Sequence, residues 1–143
     1  MDNRSLIQQS LDYIEEHLQA EITAAELADM TGFSLYHYYR LFQQATGFPV
    51  MQYIIRRRLL HGIYAIKQGS TKTDAALRYG FDTYAGFYKA FCREFGSTPS
   101  VFLQSCRARP YCRHVDQAHR GGVSELRFRF KKIACERRAH FFN

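Results

Sequence analysis

The chain has 143 residues and a formal net charge of +7, with 46% apolar residues, twelve Phe, ten Tyr and no Trp. That length suits one domain or two small units sharing a core, and no stretch approaches the run of about eighteen apolar residues that a membrane-spanning helix needs. The charge is uneven: residues 1–30 hold one Arg and seven acids, residues 31–109 eleven Lys/Arg and three acids, and residues 110–143 eight Lys/Arg and three acids, so a phosphate-facing surface, if there is one, begins after residue 30.

The first segment, MDNRSLIQQSLDYIEEH, is polar and acidic, unlike a secretory signal, and a soluble cytoplasmic protein is expected. Ile7, Leu11, Ile14 and Leu18 form one apolar stripe, which predicts a helix over about Ser5 to Leu18. Gln8, Gln9, Asp12, Glu15 and Glu16 fill its other face. Thr23, with Glu26 three positions on, is a capping box and opens a short second helix that Gly32 ends; Leu27 and Ala28 point inward. Ser34 caps a third helix, LYHYYRLFQQAT, stopped by Gly47 and Pro49. Two helices joined by a short Gly-containing turn make a helix-turn-helix.

VMQYIIRRRLLHGIYAIKQG then reads as a long helix to about Lys67, with Ile54, Leu59, Leu60, Ile63 and Ile66 buried. Arg56, Arg57 and Arg58 cover most of its circumference and cannot share one role. Arg57 and Arg58 read either as solvated charges or as phosphate ligands. Gly62 in mid-helix costs roughly 1 kcal/mol against Ala, so it calls for a close helix crossing.

From Ser70 the pattern restarts. Thr71 or Thr73 caps a short helix, Ala75-Ala76 stands where Leu27-Ala28 stood, and Gly80-Phe81 where Gly32-Phe33 stood, 48 residues on. Asp82 or Thr83 caps a further helix to Phe95, ended by Gly96 and Pro99. The offset is 49 at Gly96 against Gly47, which gives the second long helix of the unit one extra residue. Phe87, Phe91 and Phe95 form a core ladder, and a closing helix from Ser100 to about Cys106 brings Val101, Phe102 and Leu103 for burial.

The chain is thus expected to be all-α: two helix-turn-helix units, over 5–48 and 70–107, joined by a linker helix over 49–68 and followed by an irregular basic tail over 108–143. ELRFRFKK in the tail alternates as a strand does. The tail reads as an incompletely encoded further domain or a fortuitous terminal extension, in preference to a nucleic-acid-binding tail. Cys92, Cys106, Cys112 and Cys135 lack the close-spaced ligand pairs of a zinc site, even with His114 and His119 nearby; reduced thiols and no metal or cofactor are expected.

Two such units on one long helix resemble the DNA-binding domain of the AraC/XylS family of bacterial transcription regulators. The resemblance rests on ELADMTGFSLYHYYRLFQQATGFPVMQYIIRRRLLHGIYAI and AALRYGFDTYAGFYKAFCREFGSTPSVFL, and within them on Arg58-Leu59, Gly80-Phe81, the Phe ladder and the Gly96-to-Pro99 stop. Ala75 departs from it, since family members usually carry a larger aliphatic residue there. A linker of about 18 residues spans roughly 27 Å, and a major groove returns to one face of B-DNA about every 34–36 Å. With the width of the flanking units added, one monomer is expected to seat two recognition helices in successive groove segments, and the resemblance implies an asymmetric, double-stranded promoter site.

The N-terminal residues of a recognition helix reach the groove. Leu41, Phe42 and Ala45 should face the core, which leaves Leu35, Tyr36, Tyr39 and Arg40 outward, with His37 undecided; a half-buried aromatic is the other reading of Tyr36 and the preferred one of Tyr38. Thr83, Tyr84, Ala85, Tyr88 and Lys89 are the outward set of the second unit, and Ser34 and Thr83, at helix N-termini, suit phosphate. By matching positions, the resemblance puts base contacts on Tyr36, Tyr39 and Arg40, and on Tyr84, Ala85, Tyr88 and Lys89. It also implies a contact of the second unit with RNA polymerase. A protein-interaction module or antagonist on the same fold is the alternative reading. An enzyme is not expected: no nucleophile–base pair, phosphate loop or carboxylate pair is present.

Overall fold

In a computed structural model the described residues are 2–107, and among them every regular element is a helix. The tail, with its Cys112, His114, His119 and Cys135, lies outside the described residues, as does the Cys106 side chain. In order the helices are α1 (Asn3–Glu16), α2 (Ala24–Thr31), α3 (Leu35–Thr46), α4 (Val50–Lys67), α5 (Lys72–Arg78), α6 (Tyr84–Phe95) and α7 (Pro99–Arg107).

The first unit is built on the α1 stripe. Ile7, Leu11, Ile14 and Leu18 are all buried, against Leu27 and Ala28 of α2, Tyr38 and Phe42 of α3 and Ile54 of α4. The second is built on the Phe ladder. Phe87 and Phe91 are fully enclosed, Phe95 nearly so, and they pack with Leu59, Leu60 and Ile63 of α4 and Phe102 of α7. Phe102 meets Phe91 edge-on at 5.2 Å. The linker helix α4 supplies side chains to both cores, and the half-buried Phe48 and Ile66 pack against both. Large apolar contacts of this kind supply most of the folding free energy of so small a unit.

The duplication is visible in the backbone. Thr23 and Thr71 cap α2 and α5 by accepting hydrogen bonds from the N–H groups of Glu26 and Asp74. Both helices end in the same way, with Phe33 N–H donating to Ala28 O at 3.2 Å and Phe81 N–H to Ala76 O at 3.0 Å, around left-handed Gly32 and Gly80. Ser34 and Thr83 then cap α3 and α6. Both of these helices have twelve residues. The extra residue of the second unit is therefore not in its helix, as the sequence suggested, but in its turn, where Asp82 stands between Phe81 and the cap. From the caps onward the two helices match at an offset of 49.

Three expectations need correction. Val101 is exposed, while Phe102 next to it turns fully inward and Leu103 is half-buried. Tyr38 is not half-buried but fully enclosed; its hydroxyl sits near that of Ser10 without a well-formed hydrogen bond, and burial pushes the phenol up to about 12. Glu15, read as part of the solvated face of α1, turns against the linker. The crossing demanded by Gly62 is present: a Cβ there would come within 2.6 Å of Phe87 Cε2.

Candidate nucleic-acid interface

The linker arginines are neither solvated charges nor free phosphate ligands. Successive helix positions are rotated by about 100°, and each arginine meets a different neighbour. Arg56 lies between the rings of Phe48 and Phe95, 4.7 Å from each centroid, and donates to the Glu94 carbonyl at 3.1 Å. Arg57 makes a two-pronged pair with Glu15 of α1, one prong at 2.8 Å, and His61 Nε2 lies 3.1 Å from the same carboxylate. Burial alone would raise the Glu15 carboxyl, but hydrogen bonds and charge from Arg57 and His61 outweigh it and hold it at about 2. Arg58 donates to Leu18 O at 3.0 Å and Ala20 O at 2.7 Å, and its Nη1 lies 3.6 Å from where a Gly80 Cβ would stand. Arg56 thus ties the linker to the second unit and Arg57 to the first. Arg58 spans the α1–α2 connection and the turn before α6.

Arg56 holds the end of α6 while α3 is rooted by Tyr38 and Phe42, and one face of each helix stays open. On α3, Leu35, Tyr36, Tyr39 and Arg40 are exposed, Tyr36 to 72%. The Arg40 guanidinium lies 5.8 Å from the Tyr36 ring centroid, one turn away on the same helix. His37 is exposed as well, edge-on to Phe33 at 5.0 Å. Phe42 is buried, with Leu41 and Ala45 half-buried against the core. The Ser34 side chain accepts from His37 N–H at 3.3 Å.

On α6, Thr83, Ala85, Tyr88 and Lys89 are exposed, and the Thr83 hydroxyl accepts from Gly86 N–H at 3.1 Å. Tyr84 is only half outward: its ring stacks on Phe87 at 5.8 Å and leans toward Tyr88. Burial, then the nearby Tyr88 and Cys92, push its phenol up. Lys72 of α5, which the sequence reading did not single out, places its ammonium 5.4 Å from the Tyr84 ring centroid. Nothing local in the sequence marks this contact, since it joins residues of two helices. At the offset of 49, Ser34, Leu35, Tyr36, Tyr39 and Arg40 fall on Thr83, Tyr84, Ala85, Tyr88 and Lys89, so the two expected sets occupy equivalent positions.

A capped helix with an apolar root and an aromatic, basic open face, present twice on one linker, defines a duplicated helix-turn-helix protein of the DNA-binding type. A family model described as a helix-turn-helix domain matches residues 27–105. The right origin-binding protein of Escherichia coli K12 is 32% identical over 106 residues, 73% of this chain and 37% of that protein. The regulatory protein SoxS of Salmonella typhimurium is 30% identical over 105 residues, 71% of this chain and 96% of SoxS. The DNA-binding domain of the global transcriptional factor AdpA, solved in complex with a target DNA, is 25% identical, with a TM-score of 0.61 over 73% of this chain and 95% of that one. The chain belongs to the AraC/XylS family of transcription regulators, and it spans little more than a third of the right origin-binding protein. Among the described residues no helix is long and apolar enough to cross a membrane, and no cluster of His, Cys, Asp and Glu is arranged to hold a metal.

Proposed function

We propose that this chain is a sequence-specific regulator of transcription that binds double-stranded promoter DNA as a monomer, with α3 and α6 in successive major-groove segments of an asymmetric site. The observation that carries this reading is the pair of equivalent open faces on helices whose opposite faces are locked into two cores by one linker. The similarity to a DNA-bound domain and to SoxS, a regulatory protein barely longer than the matched region, supports it. Arg40 suits bidentate pairing with guanine O6 and N7, and Tyr36 and Tyr39 offer rings to thymine methyl groups. Tyr84, Ala85, Tyr88 and Lys89 have less capacity for base-edge hydrogen bonds, so the second unit contributes more backbone and van der Waals contact. Ser34 and Thr83 place helix N-termini against phosphates. The second unit also serves as the contact for RNA polymerase.

Footprinting of the full chain on DNA upstream of its own gene tests the reading. Protection over two adjacent major-groove segments per monomer is expected; equal affinity for random and upstream DNA at every salt concentration would refute sequence-specific binding. Arg40→Ala should relax specificity at one base position and cost about 1–3 kcal/mol on the upstream site, read from competition titrations.

A further inference from the structure

The two units differ most where α5 meets α6. From their caps, Lys72 occupies the position that buried Ala24 holds in the first unit, and Tyr84 the position of Leu35. These two replacements touch: the Lys72 ammonium lies over the Tyr84 ring. That ring is itself held by stacking on the enclosed Phe87. Lys72 is exposed and joins none of the ion pairs formed among the described residues. In the first unit the corresponding cation–ring pair is Arg40 on Tyr36, within the recognition helix. In the second unit Ala85 stands where Tyr36 would be, so Lys89 has no such ring beneath it, and the ring-held cation comes from the preceding helix instead.

The preceding helix of a helix-turn-helix crosses the DNA backbone, whereas the recognition helix enters the groove. A lysine is a compact point charge with no planar fork for a base edge. A ring face holds such an ammonium in place without neutralising it. We propose that Lys72, positioned by Tyr84, is a phosphate ligand that anchors the second unit on the DNA backbone, in contrast to the base-reading Arg40 of the first.

This rests on the DNA-binding reading, and the test separates the two. Binding of the full chain to a labelled random-sequence duplex and to the upstream duplex is measured by anisotropy across a salt series. K72M keeps the aliphatic stem and removes the charge. It should lower the slope of log affinity against log salt by about 0.9 on both duplexes, and K72R should restore it. If the native chain binds neither duplex at low salt, the DNA-binding reading itself fails. If the native chain binds and K72M leaves the slope unchanged, or loses affinity only for the upstream duplex, Lys72 is not a phosphate ligand. Y84L, which keeps an apolar contact with Phe87 but removes the ring face, should lower the salt slope on both duplexes in the native background and leave it unchanged in a K72M background. An unchanged slope in Y84L, or a further drop in the K72M background, would overturn the positioning role of Tyr84.

Discussion

Gly62 shows how much a single missing methyl group can matter. Alanine is favoured over glycine in a helix by roughly 1 kcal/mol, yet a Cβ here meets the enclosed Phe87 ring at 2.6 Å. A ring packed on all sides cannot give way, and overpacking of this kind costs about 1–3 kcal/mol. Gly62→Ala should therefore lower the denaturation midpoint rather than raise it. Glu15 gives the second prediction at this scale. Its carboxyl lies at about 2 against an ordinary 4.5, so the stabilisation is fully present above about pH 4.5 and is lost as the pH falls toward 2. The stake is roughly 3 kcal/mol. Glu15→Gln should be less stable at neutral pH, because Arg57 is left buried without its counter-ion. Its stability should also vary less with pH in that window, as followed by urea unfolding at several pH values. The sequence announced the Gly62 anomaly, since glycine in mid-helix is visible as a cost. It did not announce Glu15. The period of α1 places that residue among polar neighbours, and only the approach of α4 makes it internal.

At the scale of elements, the sequence was most readable where chemistry is local. Thr23, Ser34, Thr71 and Thr83 are the caps, and glycines end α2, α3 and α6. The open faces of α3 and α6 were readable for the same reason, because an amphipathic helix declares which side it buries. The three arginines were not, since a run of like charges looks solvated until its partners are known, and those partners lie about forty positions away in the chain. Arg56 is one of the ties between linker and second unit, sandwiched between Phe48 and Phe95 and donating to Glu94. Arg56→Ala removes one partner of a nearly buried pair and the filling between two rings. A loss of roughly 3 kcal/mol is expected, measured by denaturant unfolding, with α6 amides near Glu94 and Phe95 losing hydrogen-exchange protection before those of α1.

At the scale of the two units together, the proposed reading makes the linker the part that sets how they meet DNA. Because α4 is a continuous helix of eighteen residues tied at Arg56, Arg57 and Arg58 to both sides, it cannot stretch to follow a longer site. Inserting about five base pairs, half a helical turn, between the two protected segments should reduce binding to what one unit achieves. Inserting a full turn of about ten should fail to restore it, as a fluorescence titration of the three duplexes would show. Asp82 carries a different consequence. Two tandem units that were alike would leave a repeat protein free to slip by one unit along its template, with either unit taking the place of the other. The added turn residue, the half-outward Tyr84 ring in place of Leu35, and the lysine that meets it make the halves distinguishable. On the proposed reading the chain takes one orientation on its site, and the same site reversed should bind differently.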